Sequence, residues 1–345
     1  MNTTTVDIET QEKNDKSFKA RFSRLMGSGL GRNLGLILAL ILLFVVGAIT
    51  GGERFASIEN ILTLVRFASI IGVLSIGMTF VIIGGGIDLS VGSVLGLASV
   101  VATLSWVQIF AEQTTWVIMV VVAIAVGALA GLVNGIVISY GRVVAFMATL
   151  AMLVAARGLA EIFSNRTSQI VRDNSFVEFF GRGDFLGIPS LVWMFAIVAA
   201  VGWVLLNKTT FGRRTVAIGG NREAARLAGI NVKRHTVYLY VIAGLAAGIG
   251  AVMILGRTTA GVSTHGSLYE LDAIAAVVVG GTLLAGGRGT IIGTVFGVLI
   301  FATLTNIFTI NNLNTSIQAV AKGIIIVLAV MLQQALAERG NARKR

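Results

Sequence analysis

The stretch VIIGGGIDLSVGS, Val81 to Ser93, decides how this chain is read. Three consecutive glycines, Gly84, Gly85 and Gly86, are followed by Asp88 and Ser90, and strongly apolar runs lie on both sides. Glycine weakens a helix, and an aspartate at the centre of a bilayer costs about 2.5–3.5 kcal/mol. In a soluble loop such a break would be ordinary. Between membrane spans it needs a reason, so the flanks must be settled first.

Of the 345 residues, 55% are apolar and only 12% are charged. A typical soluble domain carries about a quarter charged residues. The chain therefore reads as an all-α polytopic membrane protein, and its 42 glycines and single proline suit close helix packing in lipid. With no cysteine, a disulfide, a thiolate metal site and a cysteine nucleophile are excluded. His235 and His265 have no ligand pattern between them and read as loop histidines, so no metal site is expected. The net charge of +11 fits cytoplasmic loops rich in Lys and Arg better than nucleic-acid binding.

A span needs about 20 apolar residues. Ten candidates emerge: 33–51, 66–83, 91–110, 115–140, 143–164, 190–207, 236–256, 271–287, 290–308 and 317–336. Their long continuous apolar runs lack the period-two alternation of a β-barrel. Residues 208–235 carry Lys208, Arg213, Arg214, Arg222, Arg226, Lys233 and Arg234 against the single acid Glu223. Residues 165–189 balance Arg166, Arg172 and Arg182 against Asp173, Glu178 and Asp184, and the 309–317 connection is uncharged. Placing the basic loop and both termini in the cytoplasm lets all ten spans alternate. Residues 1–33 then read as a flexible cytoplasmic tail, 34–336 as the transmembrane domain with 165–189 as an outer loop, and 337–345 as a basic cytoplasmic tail.

Catalytic and nucleotide motifs are missing. There is no G-x-x-x-x-G-K-[ST] to cradle ATP phosphates, no H-E-x-x-H and no G-x-S-x-G. Intramembrane acids, the usual relays of ion-driven carriers, are sparse: Asp88 in the first half, with Glu270 and Asp272 at a helix entrance. A pathway powered by another subunit, or a passive channel, remains. The basic loop bears on that choice. Asn221 can cap a short helix over NREAARLAG, with Glu223 in its first turn and Gly229 as terminator. Ala224, Leu227 and Ala228 form one apolar stripe, which can dock into a groove on another protein or lie against the bundle.

This loop resembles the coupling loop of bacterial ABC importer permeases. GGGIDLSVGSVLG at 84–96, AIGGNREAARLAGINV at 217–232 and YELDAIAAVVVGGTLLAGGRGTIIGT at 269–294 are similar, in that order, to signatures of the ribose, xylose, arabinose and galactose permeases. The resemblance covers about residues 35–335. It implies a permease in a bacterial inner membrane that is not itself an enzyme and holds no cofactor, ATP being used by partner subunits. The implied partners are ABC ATPase subunits, an extracytoplasmic sugar-binding protein and a second permease subunit, identical or paralogous. Asn221, Glu223, Ala224, Ala225, Leu227 and Gly229 would then couple to the ATPase. Two segments depart from the family pattern: 143–150 has no proline, and Asn306 is followed by Ile307 rather than glycine. The competing readings are a branched-chain amino-acid permease of related architecture and an ATP-independent channel or carrier.

Sugars are neutral polyols, so their route needs hydroxyls and amides rather than fixed charge. Ser90, Ser93, Asn134, Thr149, Thr305 and Asn306 are candidates, each with the alternative of bonding its own helix or a neighbour. Arg157 reads as snorkelling to the interface or pairing with Glu161, four residues on. As for the opening break, the orientation puts it at the cytoplasmic side, where Asp88 can cap the third span by accepting from the amides of Ser90 and Val91. VVVGGTLLAGGRGTIIG, Val277 to Gly293, repeats the glycine break on the same side.

Overall fold

The computed structural model describes residues 29–342, with side chains left undescribed at 29–33, 329 and 332–342. Most of the expected N-terminal tail, 1–28, and the last three residues of the C-terminal tail lie outside the described residues. The chain is helical almost throughout. In order the elements are α1 (Gly29–Ala56), α2 (Ile58–Ile83), α3 (Val91–Ala102), α4 (Ser105–Gln113), α5 (Val117–Ser139), α6 (Ala145–Ser164), β1 (Gln169–Ile170) and α7 (Asn174–Phe176), which runs on as a π-helical turn, Val177–Arg182. Then come β2 (Asp184–Phe185), β3 (Ile188–Pro189), α8 (Ser190–Lys208), α9 (Thr210–Gly220), α10 (Arg222–Leu227), α11 (Val232–Thr258), β4 (Ala260–Gly261), α12 (Tyr269–Val279), α13 (Ile291–Ile310) and α14 (Thr315–Ala342).

Seven of the described helices are long and apolar enough to cross a membrane: α1 from Leu34, α2, α5, α6, α8, α11 and α13. The pair α3 and α4, bent by 57°, passes the same test taken together and makes an eighth candidate. The break falls where Leu104 turns to extended backbone between the two helices. Helix α12 has 11 residues, about 16 Å at 1.5 Å per residue, which is half a span. The sequence assigned 271–287 to one helix; Gly280 instead caps α12, and Gly281, Gly286 and Gly287 have positive φ that helix geometry forbids. Residues 337–342, read as tail, continue α14, and residues 29–33 begin α1. Helix α1 kinks at Gly52, near the predicted span end.

Burial sorts the spans. Helices α2, α11 and α13 are mostly enclosed, whereas α1, α5, α6 and α8 turn rows of Leu, Ile and Val outward. Lipid tails are as apolar as those side chains, so the pairing of spans falls to close packing. The tightest seam joins α5 to α11. Methyls at Gly127 or Gly131 would overlap the backbone oxygens of Gly244 or Tyr240, and one at Gly135 would stand 2.7 Å from Cα of Val237. These three glycines, spaced four apart, let two helix backbones touch.

The 165–189 segment is structured. Residues Gln169 and Ile170 pair antiparallel with Gly261 and Ala260, and β2 pairs with β3 through the turn Leu186-Gly187. Both turn residues have positive φ (57° and 75°), as a two-residue hairpin requires. Trp116 stacks on Phe179 at 5.5 Å and meets Phe180 edge-on at 5.5 Å, fixing this segment against the start of α5.

Candidate functional site

The opening break is a built corner. Helix α2 ends at Gly84, and Gly85 takes φ +80°, reversing the chain. Asp88 is buried, and its carboxylate accepts from the Ser90 amide at 2.8 Å and the Ser90 hydroxyl at 2.6 Å. The Ser90 hydroxyl in turn accepts from Nδ2 of Asn134 on α5 at 2.9 Å. Of the two amides expected to donate to Asp88, that of Ser90 does so, closing a turn ahead of α3; Ser90 occupies the N-cap position, and its side chain makes no capping bond. Tyr240 of α11 donates to the Ile87 carbonyl at 3.3 Å, and the Thr149 hydroxyl donates to the Ala145 carbonyl at 2.9 Å within its own helix. Ser93 donates to the Ser90 carbonyl at 3.0 Å. Four candidates, Asp88, Ser90, Ser93 and Asn134, therefore belong to one local hydrogen-bonded network.

The other pathway candidates separate. Asn306 of α13 exchanges two amide hydrogen bonds with Asn60 of α2, at 2.7 and 3.0 Å, and Thr305 bonds its own helix at the Phe301 carbonyl. Asp272 is bridged by Lys322 of α14 at 3.0 and 3.1 Å. It also borders a cleft with Phe67, Ile71, Phe301 and Thr305. Glu270 is buried at the start of α12, where a methyl on Gly92 would collide with it.

Ahead of α12, the chain from Thr259 to Leu268 runs without helix along α3. Gly261 lies against Ser99 and Thr103, His265 against Gly96, and Gly266 against Gly92. Its carbonyls need donors inside the bundle. Arg157 supplies them: one guanidinium nitrogen donates to the carbonyls of Ser263 and His265, the latter at 2.9 Å. The expected pairing of Arg157 with Glu161 is overturned, because Glu161 pairs with Arg166 at 2.9 Å. Of the two histidines read as loop residues, His265 lies in the turns ahead of α12, whereas His235 lies within a helix. His265 sits in these turns with Ser99 3.4 Å from its Nδ1, and His235 is buried in α11, 2.8 Å from Thr215 and tilted against Phe211. Among the described residues no group of three or more His, Cys, Asp or Glu could hold a metal ion.

The basic loop forms two helices where the sequence suggested one. Thr209 caps α9, Asn221 caps α10 by accepting from the Ala224 amide at 2.9 Å, and Asn231 caps α11. Gly229 takes φ +83° and ends the segment. Glu223 pairs with Arg226 at 3.1 Å, both exposed. Ala224, Leu227 and Ala228 all face outward, and Leu227 is 82% exposed. Ala225 points the other way, packed with Ile218, Ile230 and Val232 in a small core. Its side chain is therefore not on the outward stripe: period 3.6 puts Ala225 opposite Leu227. Phe211 of α9 reaches Phe80 of α2, ring centres 6.2 Å apart, so this loop touches the bundle interior.

Asn60 and the non-helical course of 259–268 escaped sequence reading. An amide directly before the apolar run ILTLV could have signalled the first; the glycine-flanked run GVSTHG ahead of a short helix could have signalled the second.

The model for the family described as branched-chain amino acid transport system / permease component matches residues 60–330. The ribose import permease protein RbsC of Bacillus subtilis is 41% identical over 313 residues, 90% of this chain and 95% of that protein. The ribose import permease of Escherichia coli K12 is 37% identical over 300 residues, 86% and 92% of the two chains. The galactose/methyl galactoside import permease protein MglC of the same organism is 35% identical over 311 residues, again 86% and 92%. No solved structure matches the chain.

Proposed function

We propose, from the premise that the chain belongs to the branched-chain amino acid transport system / permease component family, that it is the membrane permease of an ATP-driven importer for a monosaccharide, with ribose the first substrate to test. As a permease component it is not itself the ATPase. The relatives at 35–41% identity are named for ribose and galactose, which favours a sugar over a branched-chain amino acid despite the family's description. In this reading ten segments cross, with α3/α4 and α12 as the broken ones, and both termini and the α9–α10 segment lie in the cytoplasm. The charge imbalance of 208–235 against the uncharged 309–317 turn supports that orientation.

The observation that carries the reading is Leu227: a large apolar side chain 82% exposed on a short, doubly capped helix in a highly basic segment. Such a side chain suits a groove on a partner protein. In this reading Asn221, Glu223, Ala224, Leu227 and Gly229 shape the face presented to an ATPase subunit, and Ala225 holds that face to α9 and α11. A loaded sugar-binding protein docks on the outer side, where 165–189 exposes Phe179, Phe185 and Leu186. A second permease subunit completes the route. Gly84, Gly85, Gly86, Asp88, Ser90 and Asn134 serve as a joint, Asn306 as a helix tie and Thr149 as a self-bonded helix residue. Asp272 ties α12 to α14 through Lys322, Thr305 bonds its own helix, and Glu270 holds the start of the half-span.

The chain has no cysteine, so Leu227→Cys carries a single reactive thiol. In membranes, adding the ATPase subunit should protect that thiol from a water-soluble maleimide. Equal labelling with and without a bound ATPase would refute the docking face.

A further inference from the structure

The two glycine breaks meet. The Gly287 amide donates to the Ile83 carbonyl at 2.8 Å, joining the end of α2 to the turn between α12 and α13. A methyl on Gly286 would stand 3.0 Å from Cα of Gly85 and 3.0 Å from the carbonyl oxygen of Gly219. Gly219 lies in the last turn of α9, immediately before the α10 segment. A methyl there would overlap the Ile83 carbonyl and come within 2.5 Å of the Gly287 nitrogen. Three chain segments thus touch backbone to backbone, with no side chain between them.

This geometry limits what the contact can do. Side chains at an interface absorb small displacements by changing rotamer; bare backbones have no such slack. Packed backbone contacts therefore transmit movement between rigid elements. The end of α9 is pinned to α10 through Asn221 and the Ile218–Ala225 packing. On the other side the two glycine turns terminate α2, one of the enclosed spans, and the half-span α12. Positive φ at Gly85, Gly286 and Gly287 leaves both turns on conformations that only glycine adopts readily.

We propose that Gly219 is the positioning residue through which displacement of the cytoplasmic α9–α10 segment reaches α2 and α12 together, so that one push moves both interior elements. The proposal rests on the reading of α10 as the ATPase-docking helix. Its neighbour provides a control, because a methyl on Gly220 meets nothing within 4 Å.

The test uses the complete importer, assembled with its ATPase in lipid nanodiscs, and hydrogen exchange in ADP against a non-hydrolysable ATP analogue. In the native protein, peptides covering 81–90 and 282–290 should change protection along with 217–229. Gly219→Ala should keep the response of 221–229 and lose that of both turns. In proteoliposomes, with D-ribose as the probe, it should move about fivefold less sugar per ATP hydrolysed, the lower end of typical site-to-site coupling. Gly220→Ala should match the native protein in both assays. A native response confined to 221–229, or a Gly219→Ala importer with native exchange and native stoichiometry, would overturn the proposal. Should Gly219→Ala fail to assemble, the native exchange comparison decides alone. No response at 221–229 would instead refute the docking reading on which the proposal stands.

Discussion

Replacing Asn306 with leucine should destabilise the bundle without altering transport per folded molecule. Asn306 and Asn60 each donate one amide hydrogen and accept one, at 2.7 and 3.0 Å, and Asn60 also donates to the Phe55 carbonyl. Interhelical hydrogen bonds in membranes average about 0.6 kcal/mol and reach about 1.7 kcal/mol. Two bonds are lost together, so Asn306→Leu should cost about 1–3 kcal/mol. Asn60→Leu should cost about the same, each single variant leaving one half-satisfied amide between α2 and α13. The double variant leaves no orphan and fills the gap with two apolar side chains. It should cost less than the sum of the singles, with a coupling energy of about 1–2 kcal/mol. Reversible unfolding in mixed micelles, followed by helicity, measures all four corners of the cycle. Strictly additive losses would refute the pair, and so would an Asn306→Leu protein of native stability with impaired uptake, which would return Asn306 to the pathway.

Three further outcomes follow from the site. Arg157→Met should lose about 1.5–3 kcal/mol, the worth of a hydrogen bond to a charged group, and Arg157→Lys should recover part of it, because an ammonium also donates to two carbonyls from a single nitrogen; thermal unfolding in detergent measures both. Asp88→Asn should lower stability or the sugar moved per ATP and leave the ranking of sugars unchanged, since Asp88 bonds Ser90 within its own turn; an altered sugar preference with normal assembly would contradict this. Ala225→Glu should loosen the cytoplasmic segment by forcing a carboxylate among Ile218, Ile230 and Val232, seen as faster proteolysis at 209–231; native protease resistance would place that side chain on the outer face after all.

What could be read from the sequence follows from the strength of the local signal. Long apolar runs and capping residues announced most helices, and Asn221, Glu223 and Gly229 marked α10 because caps are local chemistry. The glycines of 84–86 and 280–287 announced breaks but not that the breaks touch each other, because contact between segments some 200 residues apart leaves no local pattern. For the same reason Arg157 was assigned to its own helix neighbour: i,i+4 spacing is visible in a sequence, whereas the bared carbonyls of Ser263 and His265 are not. The resemblance groups Ala225 with the coupling residues, while the helical period sets its side chain on the face opposite Leu227, among Ile218, Ile230 and Val232.

The central claim is that this chain passes a sugar only when a separate ATPase acts on it. Proteoliposomes holding the permease, the ATPase subunits and a loaded binding protein on the receiving side test it with labelled D-ribose, supplied with ATP or with ADP on the ATPase side. The account predicts accumulation against a gradient with ATP and none with ADP or without the ATPase. Equilibration of sugar by the permease alone would contradict it and make the protein a channel or carrier.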